Sequence, residues 1–185
     1  LLDGYLNKGG SVLVLLDPSP SASLPEFMKK WSIDVGNNFV VDASGVGRLF
    51  GAGPTIPLVT NYGNHKITEH FSVMSFFPLV RSVAPAAMPA PGIIVEKLLS
   101  SGERSWGETN MKSPEASLDE KVDLKGPVPL AVVASKDLGG NKKARLVVYG
   151  DSDFASNGFS GTQGNGNLFL NSVSWLAQDE SFISI

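Results

Sequence analysis

The sequence predicts a single α/β domain over residues 1–185, with a mainly parallel sheet and flanking helices. Residues 11–16 (SVLVLL) and 146–149 (LVVY) are continuous apolar runs of strand length, the pattern of strands buried on both faces of a sheet. Between residues 168 and 177 the apolar side chains recur at the spacing of one helix face. Helix, strand, helix and strand follow one another over the first 42 residues, which is the order of elements in α/β folds.

Local signals place the other elements. Paired glycines end helices, proline fits a first helical turn or a sheet edge, and a Gly-Gly turn between two apolar runs predicts a hairpin. In the first half of the chain these signals predict a helix over 1–6 ending at Gly9 and Gly10, a helix over 24–31, a strand over 39–41 ending at Asp42, and an edge strand over 58–60. The middle is predicted to hold an edge or bulged strand within 73–83, a strand or helix over 93–99, and a polar surface excursion over 101–125. The last part is predicted to form an edge hairpin of strands 128–135 and 145–149, a last helix capped by Asn167, and a final edge strand over 181–185.

Composition excludes several classes of function. The formal net charge is −3 and the chain has no extended Lys/Arg cluster, which argues against nucleic-acid binding. Because the chain has no cysteine, it has no thiol nucleophile, disulfide, thiolate zinc site or iron–sulfur cluster. No run of 18 apolar residues is present, so no transmembrane helix is predicted. We expect the chain to be a piece of a longer protein.

Acidic turns follow both apolar strands. Asp17 closes the first strand, and Asp151, Ser152 and Asp153 follow the strand that ends at Tyr149. If the two strands run parallel, both turns lie at the carboxyl edge of the sheet, where α/β folds bind ligands. We therefore predict a ligand-facing edge made of these four residues.

Two further side chains extend the candidate site. Asn157 follows the acidic turn, and His65 is an outlying candidate farther up the chain. Neutral amides such as Asn157, Asn165, Asn167 and Asn171 suit hydrogen bonding to sugars or peptides, but they suit loop geometry equally well.

Several chemistries compete for the acidic turn. Gly150-Asp151-Ser152 is similar to the nucleophile segment of GDSL-type esterases, but a serine nucleophile needs a base, and His65 and His70 lie far upstream. Asp151 and Asp153 could hold Mg²⁺, or they could stabilise backbone N–H groups of the turn. A carbohydrate-binding module would instead show an exposed aromatic such as Trp106 or Tyr62, and an assembly domain an exposed apolar patch.

One known family resembles the chain along nearly its whole length. The most specific match is a strand followed by Gly-Asp-Ser-Asp-Phe-x-x-Asn (146–157), with Gly-Asn-x-x-Leu-Phe-Leu-Asn-x-Val-x-Trp-Leu (164–176) and a closing Ile-Ser-Ile (183–185). Supporting matches lie at 5–18, 62–68, 78–82 and 105–108. These segments resemble the auxiliary, extracytoplasmic component of a bacterial ABC-type, gliding-motility-associated transport system, and a related domain occurs in an intraflagellar-transport subunit of cilia.

The resemblance implies a fold similar to class I glutamine amidotransferases, a flavodoxin-like three-layer arrangement, without the catalytic Cys-His pair. It implies a non-catalytic domain with no cofactor, placed outside the cytoplasm and held at the membrane by segments outside this chain. The implied partners are the ABC permease and ATPase subunits, and the small ligand is unknown. Fold similarity does not transfer activity, so an esterase using Ser152 and a carbohydrate-binding module stay as alternatives.

Overall fold

The computed structural model describes residues 1–18, 24–112, 115–140 and 142–178. Within these ranges the chain forms three α-helices, α1 (Leu2–Leu6), α2 (Leu24–Lys30) and α3 (Asn165–Leu176). The strands are β1 (Ser11–Leu15), β2 (Ile33–Val35), β3 (Phe39–Asp42), β4 (Leu58–Val59), β5 (Asn61–Tyr62), β6 (Ser75–Phe76), β7 (Val83–Pro85), β8 (Ile93–Ser100), β9 (Ser105–Glu108), β10 (Leu124–Lys125), β11 (Pro129–Gly139) and β12 (Lys142–Tyr149). The predicted α/β class is confirmed in this mixed form, in which strands predominate.

The main sheet has five strands in the order β1-β12-β11-β8-β5. β1 runs parallel to β12, and the other three pairs are antiparallel. The described residues therefore do not form the mainly parallel, flavodoxin-like sheet that the sequence predicts. The physical reason is connection length, because the short turn between β11 and β12 can join only antiparallel neighbours.

The β11–β12 hairpin exists but lies in the middle of the sheet, not at its edge. Residues 130–135 and 146–149 of its two strands are buried, and strands that are apolar on both faces belong where both faces are covered. β1, which the sequence predicts to be buried on both faces, instead forms the edge of the sheet, and its five residues are half-buried.

Helices cover both faces of the main sheet. On one face α3 packs through Leu168 and Trp175 in a cluster that includes Tyr149 and Phe154. On the other face α1 and α2 contribute Leu6 and Met28 to a cluster with other residues of β11 and β12. Removal of this apolar surface from water is the main term that stabilises the domain.

A second sheet of three strands, β10-β9-β3, contradicts the expectation that residues 101–125 are only a polar excursion. β9 lies within that stretch and pairs with β3, where Trp106 is opposite Val41. Ser105, Gly107 and Glu108 are buried. The polar composition conceals β9 because its buried polar groups find hydrogen-bond partners inside the protein.

Some of the other predicted elements are present close to the expected bounds and others are not. The strand over 39–41, the helix over 24–31 and the edge strand over 58–60 are confirmed as β3, α2 and β4. Residues 73–83 divide into β6 and β7 around Pro78, and α3 begins at Asn165, so Asn167 is not its cap. The final strand over 181–185 lies outside the described residues. In the described ranges no helix combines the length and the hydropathy needed to cross a bilayer.

Candidate functional site

The parallel pairing of β1 with β12 brings the two predicted acidic turns to one edge of the sheet. Leu15, the last residue of β1, is in register with Tyr149, the last residue of β12. Asp17 and Asp151 each follow two residues later, so both leave the sheet side by side. The predicted juxtaposition of these turns is therefore present in the fold.

Ser152 is bound to Asp17 through two hydrogen bonds. Its backbone N–H donates to Asp17 Oδ1 at 2.6 Å, and its hydroxyl donates to Asp17 Oδ2 at 2.7 Å. A carboxylate that accepts both bonds of one residue holds that residue firmly, because bonds to a charged acceptor are the stronger ones. The Ser152 hydroxyl is thus directed towards a carboxylate and not towards a histidine.

Asp151 is buried and accepts hydrogen bonds from the turn that follows it. Its Oδ1 accepts from the backbone N–H of Asp153 at 2.8 Å, and its Oδ2 accepts from that of Phe154 at 3.1 Å. Burial and, to a smaller extent, the carboxylates of Asp153 and Asp17 raise the pKa of Asp151, whereas the two hydrogen bonds lower it, and the net pKa is about 7. Asp151 stabilises the turn, as one interpretation of the sequence expected.

Arg81 joins this edge to the rest of the fold, and sequence reasoning missed it as a site residue. Its guanidinium donates to the carbonyl oxygens of Gly36 and Asp17, and its backbone N–H donates to Gly150 O at 2.8 Å. Burial lowers the pKa of Arg81, and the neighbouring Asp17 opposes that shift. Its position after Pro78 is the only local signal, and that signal does not predict a contact with two distant turns.

His65 lies at the opposite end of β12 from the acidic edge. Its ring packs against Trp175 with 4.9 Å between ring centroids, and the Trp175 carbonyl accepts a hydrogen bond from Arg145. Arg145 is in register with Ser11, the first residue of β1. Asp151 lies six positions after Arg145 along an extended segment, a span of about 20 Å, so the structure does not bring His65 to the predicted edge.

The histidines are occupied in other ways. The His65 Nδ1 accepts from the backbone N–H of Ile67, and burial, with the charges of Lys143 and Arg145, lowers the pKa of His65 to about 4. His70 is exposed and lies 3.6 Å from Glu69. In the described residues neither histidine forms a hydrogen bond with Ser152, whose hydroxyl donates to Asp17 instead.

The asparagines divide by role. Asn157 is exposed in the loop after the acidic turn. Asn165 is buried, and its amide bonds both backbone groups of Phe76 and the carbonyl of Phe154. Asn171 is buried and donates to the carbonyl of Ile67. These two amides connect α3 to β6 and to the segments at Phe154 and Ile67.

In the part of the chain that the structure describes, no three His, Asp or Glu side chains are grouped closely enough to hold a metal.

A cleft of about 480 Å³ lies between the end of β3, the following glycine-rich loop and β9. Asp42, Arg48 and Trp106 are the side chains of the cleft that carry a charge or a large aromatic ring. Arg48 lies on a short 3-10 helix, Val46–Phe50, whose flanking residues Gly45 and Gly51 have φ near +75°, a conformation that glycine adopts without strain. Sequence reasoning named Trp106 but missed this cleft, because it depends on the unpredicted pairing of β9 with β3.

Comparison with known proteins identifies the family. A family model described as an ABC-type uncharacterized transport system (ABC_transp_aux) matches residues 1–176. A solved structure described as the mmIFT52 N-terminal domain is similar at a TM-score of 0.65 and 19% identity, covering 95% of this chain and 68% of that one. At that identity the likeness shows the fold alone, and no curated protein matches the chain. Since the family model spans nearly the whole sequence, the chain belongs to the auxiliary-component family of ABC-type transport systems.

Proposed function

We propose that this domain is a non-catalytic binding component of an ABC-type transport system. The observation that carries the proposal is the pair of hydrogen bonds from Ser152 to Asp17. A serine becomes a nucleophile when a base takes its proton, and here the hydroxyl is held by a carboxylate in a structural turn. The carboxylate of Asp151 is also bonded to backbone N–H groups. The acidic residues therefore hold the ends of β1 and β12 and the turn after β12 together.

The partners that we propose are the permease and ATPase subunits of the same transport system. The family assignment supports an association with such a system. We further propose that the domain lies outside the cytoplasm, that polypeptide outside these 185 residues anchors it to the membrane, and that the parent system contributes to gliding motility.

The concave cleft beside Trp106 offers the binding surface. Ligand sites in proteins are concave, mostly pre-formed and carry a few converging polar groups. The cleft combines a carboxylate, a guanidinium and an indole ring in about 480 Å³. Binding there needs no covalent chemistry and no activated serine.

The test uses the full-length parent protein and its own permease–ATPase complex in lipid nanodiscs. Surface plasmon resonance between the two should give saturable binding, with a Kd of about 1 μM or tighter. A permease–ATPase complex from an unrelated system serves as the control. Equal binding to both complexes, or to neither, would refute the proposed partnership. Ester hydrolysis that exceeds the buffer rate and disappears in Ser152→Ala would refute the non-catalytic role.

A further inference from the structure

The cleft beside Trp106 is lined by a carboxylate group with one oxygen that forms no hydrogen bond to the described residues. Asp42 is only 8% exposed, and its Oδ1 accepts from the backbone N–H of Ser44 at 2.7 Å. Its Oδ2 has no hydrogen-bond partner among the described residues. Hydrogen bonds to a carboxylate oxygen are charge-assisted and stronger than bonds between neutral groups, so this atom can accept hydrogen bonds from a ligand in the cleft.

The guanidinium in the same cleft is equally available. Arg48 is exposed, lines the cleft and forms no ion pair or hydrogen bond through its side chain with any residue that the structure describes. Guanidinium groups donate several hydrogen bonds and accept none, whereas carboxylates only accept. Together Asp42 and Arg48 give the cleft no net charge, and they match a neutral ligand whose groups both donate and accept.

Trp106 supplies a fixed aromatic surface. Its indole N–H donates to Glu108 Oε2 at 3.2 Å, and Glu108 is buried and also accepts from the backbone N–H of Asn110. The half-buried ring is therefore oriented before any ligand arrives, which reduces the entropy cost of binding. The face of an aromatic ring carries negative charge density and attracts the C–H groups of an apolar ligand face.

We infer that this cleft binds a neutral carbohydrate, with one sugar face on Trp106 and its hydroxyl groups bonded to Asp42 and Arg48. Sugars combine a C–H-rich face with neighbouring hydroxyls that each donate and accept, and this combination matches the three side chains. The inference rests on the proposed function, because it names the ligand class of a domain that acts by binding. It assigns recognition to the second sheet and not to the acidic edge.

The test is isothermal titration calorimetry of the 185-residue domain with a panel of neutral sugars. The panel holds glucose, galactose, mannose and N-acetylglucosamine, and the disaccharides maltose and cellobiose, so that a free monosaccharide is distinguished from the end of a longer glycan. At least one sugar should bind saturably. Trp106→Ala and Asp42→Asn should each weaken it about tenfold or more, whereas Trp106→Phe, which keeps an aromatic face, should weaken it less.

The matched surface pair is Arg48→Gln and Lys97→Gln. Both remove one exposed positive charge, but only Arg48 lines the cleft, so Arg48→Gln should weaken binding several-fold and Lys97→Gln by less than about twofold. Because both side chains are on the surface, this pair remains informative if a Trp106 or Asp42 variant does not fold.

Three results would overturn the inference. These are no saturable binding of any sugar up to about 10 mM, binding that Arg48→Gln and Asp42→Asn leave unchanged, or preferential binding of free amino acids or nucleosides in parallel titrations. If no sugar binds but the full-length protein binds its permease–ATPase complex, the inference fails and the proposed function is retained. Conversely, sugar binding without that association would refute the partnership and keep the carbohydrate site.

Discussion

The carboxylate of Asp17 accepts two hydrogen bonds from Ser152, at 2.6 Å from the backbone N–H and 2.7 Å from the hydroxyl. The two residues are 135 positions apart in the sequence, and they meet because β1 and β12 run parallel and end together. This relationship changes the interpretation of a motif similar to an esterase nucleophile. The serine joins two loops at the edge of the sheet.

The stability of the domain should depend on pH through Asp151. The pKa of its carboxyl is about 7 in the folded protein and near 4 in an unfolded chain. The folded state therefore holds the proton more tightly, so the contribution of Asp151 to the free energy of unfolding is fully present below pH 4 and is lost as the pH rises through 7. The change should amount to about 4 kcal/mol at most.

The measurement is urea unfolding of the wild type and Asp151→Asn at a series of pH values from 4 to 8. The free energy of unfolding of the wild type, minus that of Asp151→Asn, should decrease as the pH rises from 4 to 7 and stay constant above pH 7. A difference is needed because His65, whose pKa is lowered to about 4, acts in the opposite direction, with stability lost as the pH falls from 6.5 through 4. A difference that does not vary with pH would contradict this role of Asp151.

Asn165 should be far more important for stability than Asn157. Replacing Asn165 by alanine leaves the backbone N–H and carbonyl of Phe76 without their buried partner, and the Phe154 carbonyl loses a bond. Each unsatisfied buried group costs about 1–3 kcal/mol. Asn165→Ala should therefore lower the free energy of unfolding by about 2–4 kcal/mol, as measured by chemical denaturation.

Asn157→Ala is the matched control, because that side chain is exposed. It should change the free energy of unfolding by no more than about 0.5 kcal/mol. Equal effects of the two alanine variants would show that the amide of Asn165 does not connect α3 to β6 at Phe76.

Gly150 should not tolerate a side chain. A Cβ at this position would lie 2.1 Å from the carbonyl oxygen of Arg81, whose own N–H donates to Gly150 O. Gly150→Ala must therefore push apart two bonded backbone segments, and it should lower the free energy of unfolding by about 1–3 kcal/mol or more. Gly102→Ala is the comparison, since a Cβ there meets no atom within 4 Å.

Thermal unfolding of both variants by circular dichroism distinguishes the two cases. Gly102→Ala should leave the midpoint near that of the wild type, and Gly150→Ala should lower it clearly. If Gly150→Ala is as stable as Gly102→Ala, the close approach of Arg81 to the end of β12 is not a feature of the folded protein in solution.

The sequence supports some features of this fold more firmly than others. The apolar runs at 11–16 and 146–149 predict two buried strands; both strands are present, the second buried and the first half-buried. The aspartates after them predict a shared edge if the strands run parallel, and they do. The order of strands in the sheet is not local. β1 has the composition of a strand buried on both faces yet lies at the edge, and the predicted hairpin lies in the centre, a position that no local signal gives.

The candidate cleft could not be predicted for a related reason. Its side chains come from β3, from a 3-10 helix and from β9, and β9 lies in a polar stretch that has no strand pattern of its own. Trp106 could be named as an aromatic candidate, but Asp42 and Arg48 acquire a role only once the second sheet brings their segments together. Buried polar contacts such as those of Glu108 are not visible in a hydropathy pattern.

The most direct test of the account replaces Ser152 by alanine in the full-length parent protein. The backbone N–H of residue 152 still donates to Asp17, so the variant should fold with a loss of about 1 kcal/mol. Adding the variant to the reconstituted permease–ATPase complex should change the rate of ATP hydrolysis by the same factor as adding the wild type, because Ser152 performs no chemistry. Loss of that response in a variant that remains folded by circular dichroism would contradict the non-catalytic role of this domain.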